Sequence, residues 1–252
     1  MPIRAVFFDV FGTLMPYKTL PRHEILARRA NLAGVSLTPD DMRRALMKLE
    51  NDSQGFAVAG QLSSDDVPRD RTYWIKTFAN LLAAAGVQGD LPALGAAMAD
   101  TFLITEDFYL DEETIPTLRG LRERGFIVGV ISNAPKGLAR TLAKFGVLPE
   151  LQIAVGSQDI GIEKPDPAIF RYALRATGVR ANQAAYVGDE YRTDAKAAEA
   201  AGMLGIYLDR NNARPQADIA RIVRLSDLLA ADSPLTKRKR RVKSNAAPEP
   251  AA

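Results

Sequence analysis

Residues 3–14 read IRAVFFDVFGTL, an apolar run that stops at Asp9 and passes straight into a glycine turn. The run is apolar at both of its alternating positions, as a strand covered on both faces of a sheet must be. Four more short runs share this character: 126–132 (FIVGVIS), 151–155 (LQIAV), 184–187 (AAYV) and 204–208 (LGIYL). Helical periodicity occupies 113–124, 136–144, 167–177 and 193–201. Gly125, Gly146, Gly178 and Gly202 stand just past these stretches, where helix-ending glycines belong. Alternation at this spacing predicts right-handed crossovers and a mainly parallel sheet, an α/β Rossmann-like core. The first strand breaks the rhythm. Residues 15–105 carry helical periods at 22–32, 39–51, 65–85 and 91–102 and almost no strand signal. Thr38, Pro39 and Asp41 open the second of these with a capping pattern. The pattern predicts a core of 1–14 and 106–232 with an all-helical domain, 15–105, inserted after the first strand.

Composition narrows the chemistry. The 252 residues include no cysteine and one histidine, His23. Disulfides, thiolate catalysis, Cys-based zinc sites and any two-histidine mechanism are excluded. Carboxylates, hydroxyls, Lys, Arg and an oxygen-bound metal remain. No apolar run approaches the roughly 18 residues of a membrane helix. The start, MPIRAVFF, lacks the basic flank, apolar core and cleavage site of a signal peptide, so a cytoplasmic chain is expected. The net charge of +3 is local, because residues 237–243 read KRKRRVK. A disordered basic tail is expected over 233–252. Such a run can bind nucleic acid or anionic lipid, or act as a targeting signal; a solvated tail with no dedicated partner is the plainer reading.

In an open parallel sheet, ligands bind beyond the carboxyl ends of the strands. Here those ends carry polar groups: Asp9 with Gly12-Thr13, Ser132-Asn133, Glu163-Lys164-Pro165 in a loop after the third strand, and Gly188-Asp189 with Asp194 five residues on. These four segments, in this order, resemble the haloacid dehalogenase superfamily, whose signature runs hhhD-x-D-G-T, hhh-S/T-N, Lys-Pro and hhh-G-D-x4-D (h, hydrophobic). The helical insert resembles the small cap of that superfamily's first cap class, subfamily I. The resemblance implies Asp9 as a nucleophile that forms an aspartyl-phosphate. It implies Mg²⁺, which takes about six oxygen ligands, held by Asp9, the backbone carbonyl of Phe11 and Asp189. Asp194 joins this metal set or positions Lys164. Ser132 and Lys164 are expected to hold the phosphoryl oxygens. Asn133, Thr13 and Gly12 are expected to bind substrate, with Gly12 letting the backbone come close to the ligand. The implied substrate is a small phosphorylated metabolite.

One residue departs from the pattern. The superfamily's phosphatases carry a second Asp two residues after the nucleophile, as general acid and then base; this chain has Phe11. Such a group is worth typically 10²–10⁴-fold. Three chemistries stay open. A Mg²⁺-dependent phosphohydrolase would draw its proton from water or from the insert, or would take substrates with good leaving groups. A 2-haloacid dehalogenase needs no acid, but those enzymes lack the intact Gly-Asp motif and place an Arg soon after the first motif, where this chain offers Lys18 and, weakly, Arg22. A catalytically impaired binding or scaffold protein is the third. His23 reads as a surface residue, and Tyr73, Trp74 and Phe78 as helix core.

Overall fold

The computed structural model describes residues 2–18, 21–51, 71–101 and 108–236. The basic run 237–243 lies outside the described residues, as do the first part of the helix expected at 65–85 and the end of the one expected at 91–102.

Six strands form one parallel sheet: β1 (Ala5–Phe8), β2 (Ile127–Ser132), β3 (Ile153–Gly156), β4 (Ala184–Gly188), β5 (Leu204–Leu208) and β6 (Ala220–Ile222), in the order β3-β2-β1-β4-β5-β6. Alternation sorts each strand's side chains onto two covered faces. Val6 and Phe8 join Val128, Val130, Ala185, Val187 and Ile206 on one face; Ala5 and Phe7 join Ile131, Val155, Ala184 and Tyr186 on the other. Both faces are closed by helices, so the strands read as unbroken apolar runs.

Between β1 and β2 lie α1 (Arg22–Leu32), α2 (Pro39–Asn51), α3 (Arg71–Ala84) and α4 (Leu91–Asp100), followed by α5 (Thr114–Glu123), which packs on the sheet. The Thr38–Asp41 capping pattern is present: the Thr38 N–H donates to Asp41 Oδ2 at 2.9 Å and the Asp41 N–H to Thr38 Oγ1 at 3.1 Å. Helices α1–α4 bury Leu26, Met42, Phe78, Leu81 and Met98 in an apolar cluster of their own. The chain runs into this region through Tyr17 and comes back through Phe108, and the two are joined by an antiparallel bridge. Beyond β2 come α6 (Leu138–Lys144), α7 (Ser157–Ile160) and α8 (Pro167–Thr177); after β4 come a π-helical turn (Tyr191–Lys196) and α9 (Ala197–Ala200).

Two expectations change. The helix expected at 193–201 is split into that π-helical turn and α9. Residues 233–236, expected to lie in the tail, belong to the folded part: Ser233 is 2% exposed, and Leu235, 8% exposed, packs into the sheet's apolar cluster with Leu225 and Leu228. Among the described residues no helix is long and apolar enough to cross a membrane.

Candidate active site

Strand order reverses at β1 and β4, and that crevice is where an open sheet receives ligands. Asp9 is the first residue past β1, with its N–H donating to Val187 O at 2.9 Å. Asp189 is the first past β4, Ser132 ends β2, Lys164 lies in the loop between α7 and α8, and Asp194 sits in the π-helical turn. Five chain segments thereby converge on one point. Carboxylate oxygens of Asp9, Asp189 and Asp194 lie within 4.8 Å of one another.

Lys164 joins them. Its ammonium, 4% exposed, donates to Asp9 Oδ1 at 2.8 Å, Asp194 Oδ1 at 2.5 Å and Tyr186 Oη at 2.9 Å. An ammonium has three protons, so all are committed. Burial alone would push this lysine down, but Asp194 and Asp9 outweigh it and hold it above its ordinary value. For the acids the balance goes the other way. Burial, then the nearby charges of Asp9 and Asp194, raise Asp189 well above the ordinary carboxylate range. Burial also raises Asp194, to about 7, against the pull of Lys164. Full ionisation of three carboxylates against one ammonium would put two negative charges in a desolvated crevice; the raised acids resist that alone, and a divalent cation with oxygen ligands would offset it.

Several expected ligands have other work. The Thr13 hydroxyl donates to Asp189 Oδ1 at 2.7 Å and accepts the Asp189 N–H at 3.0 Å, so Thr13, fully buried, orients Asp189 from behind the cavity lining. Gly12 has φ +90°, and a Cβ there would lie 2.2 Å from Asp189 Oδ2, so this glycine makes room for the carboxylate. Asn133 is tied to Lys164: its amide donates to Lys164 O at 2.9 Å and its Oδ1 accepts the Lys164 N–H at 2.7 Å. Its side chain therefore fixes the lysine loop while still lining the cavity, and these two bonds leave its second amide proton unused. Ser132 lines the cavity, and its buried Oγ finds no hydrogen-bond partner among the described residues. Phe11 packs its ring 4.7 Å from that of Phe108 and also lines the cavity beside Asp9. The Arg22 side chain lies outside the described residues.

Two residues were missed from sequence. The fully buried Tyr186 accepts from Lys164 and donates to Ile131 O at 2.6 Å, tying the lysine to the strand that ends in Ser132. Arg210, just past β5, donates to Gly12 O at 2.9 Å, Thr13 O at 2.8 Å and Asp111 Oδ2 at 2.8 Å, clamping the turn after Asp9. The cavity above these groups measures about 560 Å³, and Arg71, Trp74 and Asp100 of α3 and α4 form its far side.

The arrangement has known counterparts. Haloacid dehalogenase-like hydrolase domain-containing protein 3 of Danio rerio is 29% identical over 217 residues, covering 84% of this chain and 87% of that protein. The glyceraldehyde 3-phosphate phosphatase of Methanopyrus kandleri is 32% identical over 224 residues, covering 82% and 84%. In three dimensions, the HAD-hydrolase YfnB of Bacillus subtilis, a crystal structure with bound magnesium, superimposes with a TM-score of 0.67 at 21% identity, covering 90% of this chain and 97% of that one, a likeness of fold. Residues 3–202, from the first strand past Asp194, match the family described as haloacid dehalogenase-like hydrolase; with the carboxylate cluster, the central lysine and the inserted helices all falling inside that span, the chain belongs to the haloacid dehalogenase-like hydrolases.

Proposed function

We propose that this hydrolase is a Mg²⁺-dependent phosphatase that works through Asp9 on a small phosphorylated metabolite in the cytoplasm. The observation that carries this reading is the trio of carboxylates around Lys164 at the ends of β1 and β4. A site that only displaced halide would gain nothing from two uncompensated charges in a desolvated crevice, whereas a site for a phosphate dianion needs carboxylates that hold a cation. The naming of the Methanopyrus relative as a phosphatase supports the same reading. A cavity of about 560 Å³ that is partly walled by α3 and α4 suits a small molecule.

Asp9, Asp189 and Asp194, with the Phe11 carbonyl on the turn that Arg210 clamps, would hold Mg²⁺. When bound, the cation offsets the carboxylates and draws charge from the phosphoryl oxygens. The chain's own groups do the rest. Asp9, held at one oxygen by Lys164, attacks phosphorus with the other. Ser132 donates its unpartnered hydroxyl to a phosphoryl oxygen. Lys164 stays protonated between Asp9 and Asp194 and steadies the negative charge that gathers there. Water then hydrolyses the aspartyl-phosphate and Asp9 is regenerated.

Phosphate release from p-nitrophenyl phosphate tests this. It should vanish with EDTA, return with Mg²⁺, and fall to background in Asp9→Asn at an unchanged or higher melting temperature. Metal-independent halide release from a 2-haloacid would install dehalogenase chemistry instead. Binding of metabolite phosphates with neither turnover would leave a scaffold.

A further inference from the structure

Hydrolysis of an alkyl phosphate needs a proton on the departing oxygen, because an alkoxide is a poor leaving group, and a positioned donor contributes typically 10²–10⁴-fold. Several polar groups that line the cavity with Asp9 are already bonded. Lys164 commits its three protons to Asp9, Asp194 and Tyr186. Asn133 is held by the Lys164 backbone, and the Ser157 hydroxyl is bonded to the backbone of Ala134. Ser132 and Thr193, which also line the cavity, are alcohols no more acidic than the alkoxide's parent, and the ring of Phe11 has no proton to give.

Tyr17 stands next along the same wall. After Asp9 the chain doubles back through a bridge between Phe11 and Met15, and Tyr17 then bridges Phe108, with the Tyr109 N–H donating to Pro16 O at 3.2 Å. The rings of Phe11 and Tyr17 both pack on Phe108, at centroid separations of 4.7 and 4.5 Å. Tyr17 is thus fixed by packing eight residues from the nucleophile. It is 39% exposed and lines the cavity that holds Asp9. Desolvation, then the charge of Asp189, raises the phenol above its ordinary value, which leaves it protonated but a weaker acid than a free tyrosine; a cation on Asp9 and Asp189 would offset the charge part of that rise.

Resting on the phosphatase reading, we infer that Tyr17 is the catalytic proton donor to the leaving oxygen, and that the substrates include alkyl phosphates. As an Asp9 oxygen bonds to phosphorus, the bond from phosphorus to the leaving oxygen breaks. The electron pair stays on that oxygen, which takes the phenolic proton. The phenolate then takes a proton from the water that attacks the aspartyl-phosphate, giving inorganic phosphate, free Asp9 and the phenol again.

The test compares kcat/KM of wild type and Tyr17→Phe, at saturating Mg²⁺, on p-nitrophenyl phosphate and on 2-glycerophosphate. The phenyl ring preserves the stack on Phe108, so the melting temperature should hold. The expected result is a rate on the aryl ester within about twofold of wild type and a fall on the alkyl ester of about 10²-fold. An equal fall on both esters would make Tyr17 a binding group only, and no fall on either would assign the proton to another acid such as Glu163 or Glu190; both overturn the inference. Wild type that hydrolyses the aryl ester alone also overturns it, since no donor then operates. Wild type that releases phosphate from neither ester overturns the phosphatase reading itself, a distinct outcome.

Discussion

At the scale of single residues, the site is governed by Lys164 and the three different acceptors of its protons. Tyr186 is the neutral one, and its hydroxyl in turn donates a hydrogen bond to Ile131 O. Tyr186→Phe removes the hydroxyl while keeping the edge-on contact with Phe170. It leaves a buried N–H and a buried carbonyl short of a partner, so unfolding measurements should show a loss of about 1–3 kcal/mol. Because the lysine loses an anchor, kcat should fall by more than KM changes; an unchanged kcat would make Tyr186 purely structural. A second consequence concerns pH. In the metal-free protein Asp194 rises from its ordinary 3.8 to about 7, and Asp189 rises too. A carboxyl with a raised folded-state value binds its proton more tightly in the folded chain. Its stabilisation is full below the unfolded value and is lost as pH climbs through the folded one. With EDTA the melting temperature should therefore fall between pH 3.8 and about 7, and saturating Mg²⁺ should flatten that slope. A flat profile in EDTA would show that burial does not raise Asp194 and Asp189 in the folded chain. Asp9 and Asp189 were legible in the sequence because charge at the end of an apolar strand is conspicuous, and Lys164 and Asp194 through the motifs that hold them in the resemblance. Tyr186 was not, since a tyrosine inside AAYV looks like any core aromatic until its hydroxyl is placed.

At the scale of elements, what matters is how loops are held at the strand ends. Arg210 bonds two consecutive carbonyls of the Asp9 turn and the Asp111 carboxylate at once. On the proposed phosphatase reading, Arg210→Ala should loosen the turn whose Phe11 carbonyl would hold Mg²⁺, raising the Mg²⁺ half-saturation by roughly 10–100-fold, the usual cost of losing an outer support. A titration with unchanged midpoint would show that the turn holds itself. The π-helical turn serves the same purpose. It brings Asp194 inward under Gly188, where a Cβ would lie 2.2 Å from Asp194 Oδ2. Periodicity read this stretch as plain helix, because one widened turn shifts the pattern by a single residue. Five strands were legible from apolar runs. The sixth was not: Ala220–Ile222 has three residues with Arg221 in the middle, and it pairs only at the sheet edge. Arg210 was equally silent, since its role depends on a turn nearly two hundred residues earlier in the chain.

At the scale of the whole molecule, three apolar clusters hold the chain, two on the faces of the sheet and one among α1–α4. The sheet cluster reaches the last described residues through Leu235. A chain ending at Ser233 should be less stable than one ending at Thr236 by about 2 kcal/mol, a melting difference of roughly 4–8 °C. Equal melting temperatures would mean that Leu235 adds nothing. The hydrophilic run that follows it drew the sequence boundary too early, because one leucine among polar neighbours gives no periodicity. The adjacency of Tyr17 and Phe108 has a different kind of consequence. Seen from the sheet, everything between those residues is a closed loop, and the entropy of closing a loop depends weakly on its length, about 0.6 kcal/mol per doubling. The helices between could be exchanged for a longer, shorter or unrelated passage at little cost to the remainder. Asp9, Phe11 and Tyr17 would stay behind, with Ser132, Lys164 and Asp189, while Arg71, Trp74 and Asp100 would leave with the graft. Such a chimera would inherit its chemistry from one parent and its choice of substrate from the other.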